Sequence, residues 1–197
     1  MKLVVATRNQ GKLKEIYRLL APSGIEVVGL DRFPQIGEIE ETGATFEDNA
    51  RLKAETVAHI TGVLTLADDS GLTVAALDGR PGVHSARYAG PAADDAANNA
   101  KLLAELAAVP VEQRSAAFVC RMALFDPDDN SCRIFSGQVS GRIQNDARGD
   151  GGFGYDPLFL VPAYGKTMAE LSLATKNRIS HRGAALRQVI SFLTHHD

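Results

Sequence analysis

The chain has 197 residues, 45% of them hydrophobic and 23% charged, and a formal net charge of −3. That length points to one domain over residues 1–197, and the two fractions exclude a disordered tail. The slight acidity excludes a general attraction to nucleic acid or an anionic membrane, so an anionic ligand must be met by a local cluster of cations. No apolar run approaches the 18 or so residues of a membrane span. The opening MKLVVATRNQGK has too short an apolar stretch for a signal peptide, so a cytoplasmic location is expected. Cys120 and Cys132 are the only cysteines and are expected as free thiols, with no second Cys or His at zinc-ligand spacing.

Leu3 to Ala6 reads as a buried strand that ends at Thr7-Arg8-Asn9-Gln10-Gly11. A helix follows, with Leu13, Ile16, Leu19 and Leu20 on one face and Pro22, Ser23 and Gly24 as its stop. Ile25–Val28 reads as a strand, 31–44 as irregular, and Thr45 to Ile60 as a helix. Val63–Ala67 reads as a strand that stops abruptly at Asp68-Asp69-Ser70-Gly71. Residues 78–92 carry Gly79, Pro81, Gly82, Gly90 and Pro91 and read as loop. Asp94–Leu106 is an alanine-rich helix, and 116–125 with 132–140 form a hairpin across Asp126–Asn130. A glycine-rich loop, 149–154, leads to a short strand at 158–161, and a last helix runs from Ser180 to about Thr194. The alternation predicts an α/β or mixed α+β fold with a partly parallel sheet.

Five places carry candidate chemistry. In the turn from Thr7 to Lys12, Asn9 is a plausible N-cap and Lys12 sits at the positive end of the helix, a poor place unless an anion binds. The pattern is no Walker A loop, and an ordinary capped helix with a solvated lysine is the other reading. Asp68-Asp69 at a strand end can hold Mg²⁺ or activate water, one carboxylate facing the site and the other bracing the backbone, or it can be a simple turn. After Glu40-Glu41-Thr42-Gly43, Lys53 falls inside the apolar stripe of Phe46, Ala50, Ala54 and Val57, so it needs a carboxylate or phosphate partner or must snorkel. Lys176, Arg178, His181 and Arg182 gather at the start of the last helix, with Ser180 as its cap, and favour an anion. Gly151-Gly152-Phe153-Gly154-Tyr155-Asp156-Pro157 offers close backbone approach and rings that could stack on a base, or a rigid turn with core aromatics. His59, His84, His195 and His196 show no pairing, and the last two read as a frayed tail.

Taken in order, ATRNQGK, EETGATFEDNARLKA, LADDSGLTVAALDGRPGVHSARYAG, GGFGYDPLF and KTMAELSLATKNRISHRGAAL resemble the inosine/xanthosine triphosphate pyrophosphatases, the Ham1-like proteins, from residue 4 to about 186. The resemblance implies an elongated two-lobed fold, with a long mixed sheet flanked by helices and a central nucleotide cleft. It implies hydrolysis of ITP, dITP and XTP or dXTP to the monophosphate and pyrophosphate, with Mg²⁺, in a homodimer. By matching motifs, Thr7, Arg8, Asn9, Gln10, Gly11 and Lys12 would hold phosphates, and Lys53 would face them. Glu40, or its neighbour Glu41, and Asp69 would hold the metal, with Asp69 the base for water. Ser70, Phe153, Gly154, Tyr155, Asp156, Lys176, His181 and Arg182 would contact the nucleotide, Arg182 and His181 supplying donors to the 6-oxygen of the base. Two alternatives stand beside this. One is a pyrophosphatase for dTTP or a modified pyrimidine, as in the related Maf-like proteins. The other is a nucleotide sensor without chemistry.

Overall fold

In an extended chain Leu3 and Val5 project to one side and Val4 and Ala6 to the other, so the first strand needs cover on both faces. The computed structural model, which describes residues 1–195, supplies it. In chain order the elements are β1 (Lys2–Val5), α1 (Gln10–Leu20), β2 (Glu26–Gly29), α2 (Phe46–Thr61), β3 (Thr65–Val74), α3 (Asp95–Glu105), β4 (Ser115–Asp126), β5 (Ser131–Ile143), β6 (Phe159–Val161), β7 (Lys166–Thr167), α4 (Leu173–Ile179) and α5 (His181–His195). The strands form one mixed sheet in the order β2-β1-β3-β4-β5-β6-β7. β1 lies parallel to β2 and β3, whereas β6 is antiparallel to β5 and β7.

The chain divides into two compact units. The first holds Met1–Asp69, Cys120–Gly137 and the residues from Arg182 onward. On one face of its strands Leu3, Val5, Leu66, Cys120, Met122 and Leu124 pack with Ile16 and Leu20 of α1 and with Ala185, Leu186 and Val189 of α5. On the other face Val4, Ala6, Ala67, Ala123 and Phe125 pack with Ala50, Ala54, Val57 and Ala58 of α2. Each fully buried leucine or isoleucine there contributes about 1.5–3 kcal/mol. The second unit, Ser70–Val119 with Gln138–His181, has its own core of Leu72, Val74, Leu102, Leu106, Phe118, Ile143, Tyr155, Leu158, Phe159 and Met168.

Helix starts follow local chemistry. Asn9 accepts the Lys12 amide hydrogen at 3.0 Å, Asp94 accepts that of Ala97 at 2.8 Å, and Thr45 and Asp48 form a reciprocal capping box.

One expectation fails, and one helix was not expected. The strand expected to end at Ala67 continues through Asp68-Asp69-Ser70-Gly71 to Val74, with Asp68 and Asp69 buried in it. Basic side chains of α1, α2 and α5 neutralise those carboxylates, so no turn is needed to expose them. The last helix begins directly after Ser180, as expected, but a further short helix, α4, precedes it, and Ser180, in an extended conformation, separates the two. Lys176 and Arg178 therefore lie in the last turn of α4, the favourable end of its dipole, and only His181 and Arg182 open α5. His195 closes α5 as a helical residue, and His196 lies outside the described residues.

Candidate active site

The pairing of Val5 with Leu66 brings the Thr7–Asn9 turn, which follows β1, to the level of Asp68 and Asp69 on β3. Period-two alternation then parts the two carboxylates: Asp68 shares the Leu66 face with α1 and α5, and Asp69 shares the Ala67 face with α2.

Asp68 is the centre of a buried ion network in the first unit. Lys12 Nζ lies 2.5 Å from Oδ1, while Arg182 Nε and the Cys120 thiol donate to Oδ2 at 3.2 and 3.0 Å. Arg182 also pairs through Nη1 with Glu15 of α1. Burial would raise the Asp68 pKa, but Lys12 and Arg182 outweigh it and hold the carboxyl well below its ordinary value of 3.8. Burial first, then the charge of Asp68, keeps Cys120 a thiol well above the ordinary range.

Asp69 has a different environment. Lys53 Nζ bonds Glu41 Oε1 at 2.6 Å, the Asp68 carbonyl oxygen at 2.8 Å and Asp69 Oδ1 at 3.2 Å. Asn49, fully buried, donates to Asp69 Oδ2 at 3.3 Å and accepts the Gly43 amide hydrogen at 2.7 Å. A Cβ on Gly43 would come within 2.6 Å of that Asn49 oxygen, so the approach requires glycine. Burial raises the Asp69 pKa above 3.8 even though Lys53 and Lys12 pull it down. Burial alone would lower the Lys53 pKa, yet Asp69 and Glu41 raise it above 10.5. Neighbouring aspartates thus shift in opposite directions, Asp68 down through its paired cations and Asp69 up through burial.

In the second unit the glycine-rich loop is drawn around Asp156. Its Oδ2 accepts from Lys176 Nζ at 2.7 Å and from the Phe153 amide at 3.2 Å. Gly152 has φ +85°, and a Cβ there would lie 2.0 Å from the same oxygen. Lys176 Nζ sits 5.3 Å from the centre of the half-buried Phe153 ring. The Tyr155 ring belongs to the core and its hydroxyl donates to the Ser85 carbonyl at 2.8 Å. His181 stacks on Phe118, with ring centres 5.1 Å apart and planes 15° apart.

A family model of the Ham1 family matches residues 3–192. The chain belongs to the Ham1 family. A dITP/XTP pyrophosphatase of Geobacter sulfurreducens is 57% identical over 185 residues, covering 94% of this chain and 92% of that protein. A HAM1 protein from Coxiella burnetii superimposes with a TM-score of 0.91 at 45% identity, covering 98% of each chain. The Staphylococcus aureus Ham1 protein gives 0.89 at 42%, covering 100% of each.

Of the residues singled out in this Ham1 sequence, the first unit brings together Lys12, Lys53, Asp69 and Arg182 around β3. Thr7 and Gly11 flank them half-exposed, while Arg8, Asn9 and Gln10 are exposed. Glu41, not Glu40, reaches Lys53; Glu40 is exposed. Half-buried Ser70 follows Asp69 on β3, at the start of the second unit. The second unit also gathers Phe153, Gly154, Asp156 and Lys176, and it places Tyr155 in its core and His181 on Phe118. The sequence reading missed Asp68 as the centre of a network, Glu15 and Asn49. Glu15 and Asn49 had a signal: each lies on the inward face of its helix, where a polar residue needs a partner.

Proposed function

We propose that this Ham1 chain hydrolyses dITP, ITP and XTP or dXTP at the α–β phosphoanhydride bond, releasing the monophosphate and pyrophosphate. The reaction removes deaminated purines from the nucleotide pool. One observation carries the reading: Asp69, its pKa raised by burial, is held between Lys53 and Asn49 directly beside a second carboxylate already locked to Lys12 and Arg182. The name borne by the Geobacter sulfurreducens relative supports the substrate class. A homodimer in the cytoplasm belongs to the same proposal and is carried by family membership alone.

The donor set fits a divalent cation. Of the seven charged groups named around Asp68 and Asp69, four are acidic (Glu15, Glu41, Asp68, Asp69) and three basic (Lys12, Lys53, Arg182). Among the described residues no three His, Cys, Asp or Glu side chains form a ready metal cage. That suits Mg²⁺, which keeps several waters and takes few protein oxygens. Glu41 and Asp69 are the carboxylates that would hold it. Bound there, Mg²⁺ supplies charge neutralisation and a more electrophilic phosphorus.

The chain's own residues do the rest. Asp69 accepts a proton from water as the water oxygen attacks the α-phosphorus; the bond to the bridging oxygen breaks and its electron pair leaves with pyrophosphate. Lys12 and Lys53 offset charge on the phosphates. In the second unit Phe153 offers a ring face to the base and Gly154 allows close backbone approach, while Asp156, Lys176 and His181 supply the polar contacts. Arg182, already bonded to Asp68 and Glu15, is assigned first to holding that network and second to the base. A site whose donors meet a 6-oxygen leaves them facing the 6-amino donor of ATP, a mismatch of several kcal/mol.

Pyrophosphate release across ITP, XTP, dATP, GTP and dTTP tests the proposal. We expect kcat/KM for ITP and XTP to exceed the others by at least about tenfold. A preference for dTTP would make the chain a pyrimidine enzyme, and no release from any of the five would make it a sensor.

A further inference from the structure

Gly154 is the joint between an anchored residue and a half-buried one. Tyr155 is fixed in the core of the second unit with its hydroxyl on Ser85, while Phe153 is half-buried. The joint itself has φ +61°, and a Cβ there would meet open space. Asp156 accepts the Phe153 amide hydrogen at 3.2 Å, but glycine takes either sign of φ with similar ease, so Gly154 is the looser link of the loop.

Two side chains of α3 hold it. Asp95 Oδ2 accepts the Gly154 amide hydrogen at 2.7 Å, and Asn99 Nδ2 donates to the Gly154 carbonyl at 3.0 Å. They stand four residues apart and so share one helix face. Holding the N–H and the C=O of one residue fixes both of its torsions. The orientation of the Asn99 amide follows, because the flipped amide would set two oxygens against each other. α3 is a firm base for this grip. Asn98, one residue before, accepts from the Ala89 amide at 2.8 Å and donates to the Ala86 carbonyl at 3.2 Å. That ties the helix to the segment whose Ser85 carbonyl anchors Tyr155.

We propose that Asp95 and Asn99 are positioning residues for nucleobase recognition: by clamping the two polar groups of Gly154 they fix the direction of Phe153 and of the backbone beside Asp156. This rests on the substrate reading above and goes beyond it, since neither side chain is assigned a contact with the nucleotide. Their effect falls on base binding and selectivity, and the chemistry at Asp69 is left intact.

Kinetics with dITP and GTP test it in four proteins: wild type, Asn99→Asp, Asp95→Ala and Asp95→Asn. Asn99→Asp keeps shape but replaces the donor by an acceptor, and Asp95→Ala removes the acceptor. Both are expected to raise KM for dITP about tenfold and to narrow the dITP-over-GTP preference, with kcat within about twofold. Asp95→Asn retains an acceptor oxygen and is expected to restore KM to within about twofold of wild type, which a mere need for negative charge would not give. Asp95 is exposed, so its alanine variant is informative even if Asn99→Asp fails to fold, as a thermal melt will show. An unchanged dITP KM in Asp95→Ala, or a fall in kcat at constant KM, overturns the positioning role. A wild type with no preference for dITP overturns the substrate reading and this inference with it.

Discussion

Asp68 and Asp69 are neighbours in sequence and opposites in environment. One faces α1 and α5 and is held by Lys12, Arg182 and Cys120; the other faces α2 and is held by Lys53 and Asn49. Asp68 is thereby committed to being an anion. Removing its charge leaves Lys12 and Arg182 largely buried without their shared partner, a situation that costs about 3–5 kcal/mol. We predict a loss of that order for Asp68→Asn in urea unfolding at neutral pH, and a loss under about 1 kcal/mol would show that the network is not structural. Part of this was legible in the residues themselves. A lysine in the apolar stripe of α2 needed a partner and has Glu41 and Asp69. The double aspartate was ambiguous, because Asp-Asp-Ser-Gly is also turn chemistry, and the cations that keep it in a strand come from helices remote in the chain.

Helix starts were readable because each is set within four residues, by Asn9, Thr45 and Asp94. The start of α5 was readable too, from Ser180, whereas α4 was not, since seven residues are too few for a helical period to show. The grip of α3 on the 80–88 segment adds a pH effect at this scale. Glu105 accepts from the Tyr88 hydroxyl at 2.6 Å and pairs with Arg80 at 2.8 Å, and its pKa lies below 4.5, the Tyr88 hydrogen bond being the main cause. The unfolded chain therefore takes up this proton at higher pH than the native one. The contribution is whole above about 4.5 and disappears as pH falls through the lower native value. Urea midpoints of wild type and Glu105→Gln at pH 6 and pH 3 are expected to differ more at pH 6. A difference that grows toward acid would contradict the assignment.

For the whole molecule, the alternation of strands and helices announced a mixed α/β sheet, and five ordered motifs announced the Ham1 family. Where the two compact units divide was not visible in the sequence, because β3, β4 and β5 each pass from one to the other, and no composition boundary marks a division that cuts through strands. At this scale the proposed assignment of Mg²⁺ to Glu41 and Asp69 predicts dependence on a divalent cation. Treatment with EDTA is expected to abolish pyrophosphate release and added Mg²⁺ to restore it; full activity in excess EDTA would refute the cofactor assignment.

The most direct test of the account is pyrophosphate release from dITP by Asp69→Asn, which keeps the shape beside Lys53 and Asn49 and removes the proton acceptor. General-base catalysis predicts that kcat falls by about a hundredfold or more in a variant that still folds. A fall of less than about tenfold, 1.4 kcal/mol in the barrier, would mean that another group accepts the proton from water.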